Sequence, residues 1–456
     1  MGLTRQTAPA PGTGDRVLVR RTITAALPLY LTMVASSAAG LVDTAMLGRH
    51  ATASLAAFAL TVAVYTPATA TVAGAMRGVM PFVAAHDDDP DALVPVVRDG
   101  IWLGIVTGLL GAGAVCAVPL IGLVSGVPGE TLSALGPLPL LLAASVLVAA
   151  VGNSATSTLV GLGRSKLVMR AGTTGTAAAV LLSLTLVNGV GPFDGLGLPG
   201  AGVAMLVSSL ISAVVAHWGL RRSTILAGHP LTLGRPHPRA VLELAGVGVP
   251  LAATVLIKFA VLGVLAIAAA RVGTVSAAAH SIAVSLVSLM FTAAVAIGQA
   301  TIPLMAPYLK AKDVRGLRAA VRAGAKTALG AVVLLGCVLA VLRGPVLSLF
   351  THDPAARHQV LALIPLMLLV VVTDALQAVF GFGLIAIRNT VPSLIAFAVC
   401  YGLLAMAAVP LTALGGLTAL WLALFGANVL LVVGQVGFFH QRSGRLAAPE
   451  AALGRT

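Results

Sequence analysis

The amino-acid sequence predicts an all-α polytopic membrane protein, with twelve transmembrane helices in two six-helix lobes. The first observation is composition: 58% of the 456 residues are hydrophobic and 9% are charged, whereas a soluble domain carries about 25% charged residues. The second is a series of apolar runs that reach the roughly 20 residues needed to cross a bilayer. The third is a resemblance between the two halves of the chain. A transmembrane β-barrel would instead show short alternating segments.

Twelve apolar runs are long enough to form membrane-spanning helices. The six runs of the first half are 23–47, 54–84, 97–125, 132–161, 166–190 and 199–220. The six runs of the second half are 241–270, 277–307, 321–350, 358–387, 391–414 and 416–440. These runs predict an N-terminal tail (1–22), an N-lobe (23–221), an inter-lobe linker (222–240), a C-lobe (241–440) and a C-terminal tail (441–456).

The basic residues predict the orientation of the chain in the membrane. The net charge is +14, and 23 of the 28 Lys and Arg residues lie on the same side as the N-terminus. Four lie on the opposite side, and Lys258 lies within a span. Because cytoplasmic loops carry an excess of Lys and Arg, we expect an integral protein of a bacterial cytoplasmic membrane with both termini cytoplasmic. We interpret the positive charge as loop charge beside membrane lipid and expect no nucleic-acid partner.

The two halves align as an internal repeat. A shift of 222 residues aligns Pro28 with Pro250 and Pro81 with Pro303, and nearby shifts align further glycines. Gly161 aligns with Gly383 at the same shift of 222, Gly100 with Gly324 at 224, and Gly197 with Gly416 at 219. Because each half has an even number of spans, the halves share one orientation and should be related by a pseudo-two-fold axis along the membrane normal. Such repeats are typical of secondary transporters, whose substrate site lies between the repeats and which work by alternating access.

Several short motifs resemble one transporter family. They are Leu27-Pro28 followed by Gly40–Gly48, Gly195–Ala204, Ala277–Ala283, Gly298-Gln299-Ala300, and Asp374-Ala375-Leu376-Gln377. In this order, on twelve spans, they resemble the multidrug and toxic compound extrusion (MATE) transporters, in particular their DinF-like branch. The resemblance covers nearly the whole chain after residue 20. It implies a V-shaped pair of lobes that export small amphipathic, often cationic compounds in exchange for protons or sodium.

The resemblance also implies a transporter that is not an enzyme and has neither cofactor nor metal site; we expect a monomer. The ATP-binding pattern G-x-x-x-x-G-K-[ST] is absent from the sequence. We therefore expect an ion gradient to drive transport, with a proton gradient favoured over sodium.

Asp43 is the first candidate for coupling, because an ionisable residue at membrane depth costs at least about 2.5–3.5 kcal/mol and is functional by default. In the family, an Asp at this point of the first helix binds the coupling proton. The second carboxylate that many members carry on the fifth helix is missing here, since the matching positions are Ser183 and Val187. One carboxylate can carry a proton, which favours protons over sodium.

Asn153 is expected to contact Asp43 or, alternatively, to bridge helices. The alternative for Asp43 itself is that it faces water near its helix end.

Asp374 and Lys258 form the second candidate set. Asp374 matches the acid of the C-lobe cation site in sodium-coupled members, and Lys258 stands where those members carry a Glu. We hypothesise an ion pair between them that opens and closes during transport; the alternative is a static neutralising pair. The residues expected to line the central cavity are Asn153, Tyr65, Gln299 and Gln377, although bridging between helices would explain these polar residues nearly as well.

Two other functions compete with transport by an exporter. The run His86–Asp91 contains D-D-x-x-D, which in paired form holds magnesium and diphosphate in intramembrane prenyltransferases. Here the motif is single and precedes a span together with Pro90, as a solvated loop would. A flippase for lipid-linked precursors, from the same superfamily, is the nearer alternative. Such flippases add helices or carry several cationic residues in the cavity, whereas this chain has only Lys258 within a span.

Overall fold

A computed structural model describes residues 15–47, 52–190, 193–223, 225–226, 229 and 233–446. The helices of the first half are α1 (Asp15–Leu47), α2 (Thr52–Arg77), α3 (Met80–Ala85), α4 (Pro90–Cys116), α5 (Val118–Val124), α6 (Gly129–Ala134), α7 (Leu138–Gly161), α8 (Ser165–Asn188) and α9 (Leu198–Arg221). The helices of the second half are α10 (Pro238–Val272), α11 (Thr274–Lys310), α12 (Val314–Val341), α13 (Arg343–Phe350), α14 (Pro354–Ala386) and α15 (Val391–Arg445). Strands β1 (Gly189–Val190) and β2 (Phe193–Asp194) form a two-residue antiparallel pair.

The predicted all-α polytopic fold is confirmed. Within the described ranges, eleven helical segments are long and apolar enough to cross a membrane. The longest, α15, contains the predicted eleventh and twelfth spans, which meet at Gly415 and Gly416 in non-helical conformations. Gly416 has φ 60° and ψ −147°, and glycine reaches positive φ without the steric cost that a Cβ imposes. The chain therefore leaves the helical conformation at these two glycines and turns from one span to the next.

Among the predicted spans that begin too late are the third and the ninth. Spans three and nine were placed at 97 and 321, but α4 begins at Pro90 and α12 at Val314. In each case an aspartate precedes the helix and accepts hydrogen bonds from its first turn: Asp89 from two backbone N–H groups, and Asp313 from Gly316 N–H. Such caps satisfy donors that have no partner within the helix. The polar first turns lie outside the apolar runs, so hydropathy alone could not place these starts.

The internal repeat is visible in backbone and packing. Gly197, with φ 58° and ψ −128°, precedes α9 in nearly the conformation of Gly416. A Cβ placed on Gly100 would meet Val79 at 3.2 Å, and one placed on Gly324 would meet Thr301 at 2.7 Å. Thr301 lies 222 residues after Val79. Corresponding small residues thus permit corresponding close helix contacts, as expected where small side chains let membrane helices approach.

The described residues divide into two compact units that do not follow the predicted lobes. One division falls between Tyr30 and Leu31 within α1, and the other between Leu256 and Ile257 within α10. We call residues 31–256 the N-terminal unit, and residues 15–30 together with 257–446 the C-terminal unit. Local contacts explain the division, because the start of α1 pairs with α12 and the start of α10 packs on α2. The pseudo-two-fold axis between lobes stays a prediction.

The core of the N-terminal unit forms around α7. Its fully buried Leu138, Leu142, Val146 and Ala150 belong to an apolar cluster that also includes Val72 of α2. Helices α4 and α7 approach closely at Gly108, where an added Cβ would lie 2.7 Å from the Cβ of Ala150. Apolar lipid provides no hydrophobic driving force between helices, so such close packing stabilises the bundle.

The crossing of α10 over α2 gives a test of this packing. A Cβ on Gly248 would lie 2.4 Å from the carbonyl oxygen of Ala75, whereas a Cβ on Gly246 would meet nothing within 4 Å. Since overpacking costs about 1–3 kcal/mol, Gly248→Ala should lower the melting temperature of the detergent-purified protein. Gly246→Ala, two residues away on the same helix, is the matched control and should leave it unchanged. Equal melting temperatures for the two variants would contradict the described crossing.

Candidate functional site

A buried ion pair joins α10 and α14 in the C-terminal unit. The Nζ atom of Lys258 donates to both carboxylate oxygens of Asp374, at 3.0 Å to Oδ1 and 2.9 Å to Oδ2. The side chain of Asp374 is 6% exposed and that of Lys258 is 20% exposed. The pair predicted from the sequence is therefore present, and a single ammonium group engages both oxygens of the carboxylate. Its part in coupling stays a prediction.

An aromatic ring completes the surroundings of the lysine. The Nζ atom of Lys258 lies 3.8 Å from the centre of the Phe291 ring on α11. A cation over an aromatic face is attracted by the ring quadrupole, most strongly where water is excluded. The ammonium thus has a carboxylate and an aromatic face as neighbours, one from α14 and one from α11. Sequence reasoning missed Phe291, because nothing in the pattern separates it from other apolar residues of its span.

Lys258 and Asp374 stabilise each other, because burying either charge without its partner would be unfavourable. Moving an ion out of water carries a penalty of several kcal/mol, and removing one partner from a buried pair typically destabilises a protein by about 3–5 kcal/mol. Lys258 and Asp374 therefore depend on one another while both are charged. A group that bound or protonated Asp374 would have to displace the lysine or accompany its movement.

A second set of polar side chains lies buried on α14 and on the two spans within α15. The hydroxyl group of Tyr401 donates to Oδ1 of Asn428 at 2.9 Å. Gln377 donates through Nε2 to Oε1 of Gln435 at 3.5 Å, and Gln435 donates through Nε2 to Ser393 Oγ at 2.8 Å. The structure therefore places Gln377 in a bridging network. Asn428 and Gln435 were missed, although two amides seven residues apart lie on one helix face and could have been found by that spacing.

The remaining predicted cavity residues fall in different surroundings. Gln299 is buried on α11, in the C-terminal unit. In the N-terminal unit, the Tyr65 hydroxyl lies 3.2 Å from Ser145 Oγ, which lies 2.9 Å from Ser209 Oγ. Tyr65 thus bridges α2 and α7, and the second serine extends the chain of hydroxyl groups to α9. Whether Tyr65, Gln299 and Gln377 also contact substrate stays a prediction.

Asp43 lies on α1, but its side chain falls outside the described part of the structure, as does any contact with Asn153. The two positions where the family's second carboxylate would stand, Ser183 and Val187, are both fully buried on α8. A carboxylate introduced at either position would therefore be buried as well. The role of Asp43 in coupling stays a prediction.

One buried carboxylate was missed by sequence reasoning. Asp99 on α4 is 2% exposed and accepts a hydrogen bond from the backbone N–H of His237 at 3.4 Å, with His237 Nδ1 at 3.5 Å. The predicted linker 222–240 therefore contacts α4. Asp99 stands beside Arg98 at the boundary of an apolar run, and a charge at that position is interpreted from sequence as solvated.

The Asp-rich run at 86–91 begins a helix. Oδ1 of Asp89 accepts from the backbone N–H groups of Asp91 at 3.1 Å and Ala92 at 3.2 Å. This geometry is that of an N-cap, which agrees with the solvated-loop interpretation of the run. Within the ranges that the structure describes, no group of three or more His, Cys, Asp or Glu side chains is arranged to hold a metal ion.

Comparisons with known proteins agree with the fold. A family model described as MatE matches residues 250–411. The probable multidrug resistance protein NorM of Aromatoleum aromaticum is 26% identical over 386 residues, covering 84% of this chain and 83% of the relative. The multidrug resistance protein PmpM of Pseudomonas aeruginosa is 26% identical over 385 residues, covering 82% and 80%.

Solved structures share the architecture. A structure of the outward-facing conformation of a multidrug resistance MATE family transporter of the MOP superfamily superposes with a TM-score of 0.84 at 19% identity, covering 97% of this chain and all of that one. A MOP superfamily transporter from Pyrococcus furiosus superposes with a TM-score of 0.83 at 20% identity, with coverages of 97% and 100%. The DinF-like branch stays a prediction. The matched family model, the relatives and the fold are all those of MATE transporters, which the sequence motifs also resemble, and members of that family are membrane transporters rather than enzymes.

Proposed function

We propose that the protein is a secondary active efflux transporter that exports small amphipathic, in part cationic compounds, drugs among them, in exchange for protons. The relatives named as multidrug resistance proteins support the export of such compounds. The internal repeat and the polar residues at membrane depth support alternating access. The orientation with both termini cytoplasmic follows from the basic residues and belongs to the same proposal.

The Lys258–Asp374 pair is the observation that supports protons rather than sodium as the coupling ion. Hard metal cations bind through several oxygen ligands, and carboxylates supply most of the charge. Both oxygens of Asp374 are already engaged by the Lys258 ammonium group. The Lys258 ammonium group therefore binds the carboxylate that a sodium ion would need as a ligand. This arrangement favours proton coupling through another carboxylate, and Asp43 is the proposed carrier because an ionisable residue within a membrane span is a functional candidate by default.

The pair itself is proposed to open and close during the transport cycle. Unlike an arginine, a lysine in a buried site can lose its proton. Loss of that proton, or protonation of Asp374, would remove the attraction between α10 and α14 and release both side chains. A substrate cation could then take the place of the ammonium group beside Asp374 and Phe291. A static pair would instead stabilise the bundle without changing during transport.

Coupling is tested by uptake of a fluorescent amphipathic cation, such as ethidium, into proteoliposomes under an imposed pH or sodium gradient. The wild type should respond to the pH gradient and not to sodium. Asp43→Asn should lose pH-driven uptake by about tenfold or more, a change that corresponds to only about 1.4 kcal/mol. Asp87→Asn, which changes an exposed acid outside the spans, is the control and should transport normally. Uptake that ignores both gradients, or responds to sodium alone, would refute proton antiport.

The ion pair is tested by comparing Lys258→Met with Lys258→Met/Asp374→Leu. The single variant leaves a buried carboxylate unpaired and should be less stable by about 3–5 kcal/mol, or bind a proton to avoid that loss. The double variant replaces the pair by apolar side chains and should recover wild-type thermal stability. If the pair switches, the stable double variant still fails to transport. Full transport by the double variant would show that the pair is static.

A further inference from the structure

A cleft lies at the start of α1, within the C-terminal unit. It has a volume of about 400 Å³ and is bounded by residues of the first turns of α1 and by Lys326 of α12. Arg16 and Arg20 stand one helical turn apart along its wall, with Val19 between them in sequence and Ile23 after them. Basic and apolar side chains therefore alternate along this wall of the cleft.

The cleft carries a surplus of positive charge. Its acid, Asp15, forms an ion pair with Lys326, so this lysine and this carboxylate compensate each other. Arg16 and Arg20 are both exposed, and among the described residues neither guanidinium group has a carboxylate partner. Arg322, one turn before Lys326 on α12, acts electrostatically on Asp15 and adds further positive charge. An anion entering the cleft would meet two available guanidinium groups.

The helix continues from these arginines into apolar side chains that remain exposed. Ile23 is 49% exposed and Leu27 is 53% exposed. At 1.5 Å per residue, Leu27 lies about 10 Å along the helix axis from Arg20. A ligand with an anionic head and an apolar chain would match this sequence of surfaces. An inorganic phosphate ion would contact only the basic side chains and not the apolar ones.

We propose that this cleft binds an anionic phospholipid, with its phosphate between Arg16 and Arg20 and an acyl chain along Ile23 and Leu27. Guanidinium groups bind phosphate oxygens through paired, charge-assisted hydrogen bonds. Basic pockets between membrane helices on the cytoplasmic side are suited to such head groups. A bound lipid would bridge the start of α1 and α12, beside the Asp15–Lys326 pair. The inference rests on α1 as a membrane span and does not depend on which ion drives transport.

The test is native mass spectrometry of the purified full-length protein after addition of phosphatidylglycerol or phosphatidylcholine. The wild type should retain phosphatidylglycerol preferentially, and Arg16→Gln/Arg20→Gln should lose that retention by about tenfold or more, equivalent to about 1.4 kcal/mol. The matched control is Arg442→Gln/Arg445→Gln, which removes two exposed arginines from the end of α15 in the same unit. This control should bind phosphatidylglycerol like the wild type.

Two outcomes would overturn the proposal. Equal losses in both double variants would mean that net positive charge, and not this cleft, attracts the lipid. Displacement of phosphatidylglycerol by an equal concentration of inorganic phosphate would mean that the cleft binds an anion without using its apolar wall. Because all four arginines are exposed, both variants should keep the wild-type melting temperature, which is measured alongside binding.

Discussion

The chemistry of the C-terminal unit depends on one constraint: a charge buried among membrane helices must be compensated. Lys258 on α10 and Asp374 on α14 meet this requirement for each other, and Phe291 on α11 adds an aromatic face to the lysine. Three helices therefore converge on a single ammonium group. Any step that changes the charge of one partner changes the free energy of holding these helices together. That link between protonation and packing is what a coupled transporter needs.

The duplicated architecture holds unequal chemistry. Gly197 and Gly416 share a backbone conformation, and the contacts of Gly100 and Gly324 correspond. The buried ion pair, however, belongs to one repeat only, since the residue 222 positions before Lys258 is the uncharged Ser36. Packing of small residues keeps the shape of each half, while the polar side chains differ. The two halves could thus perform different tasks, with Asp43 as the proposed proton carrier in the first.

Sequence reasoning succeeded where long-range hydropathy and charge compensation decide the structure. It predicted the apolar spans and the boundary between the last two beside Gly416. The resemblance to the family placed Lys258 beside Asp374, where an unpaired charge would be too costly. Sequence reasoning could not predict the division within α1 and α10, which depends on contacts such as Gly248 against Ala75. It also missed Phe291 and Asp99, since an aromatic residue within a span and an acid at its boundary carry no distinctive pattern.

We propose that export uses protons because Asp374 is already occupied by Lys258. The most direct measurement is the number of protons released when ethidium binds to the purified protein in weakly buffered solution, with and without sodium. Proton coupling predicts release by the wild type that is independent of sodium and disappears in Asp43→Asn. Binding without proton release, or binding that displaces sodium instead, would contradict it.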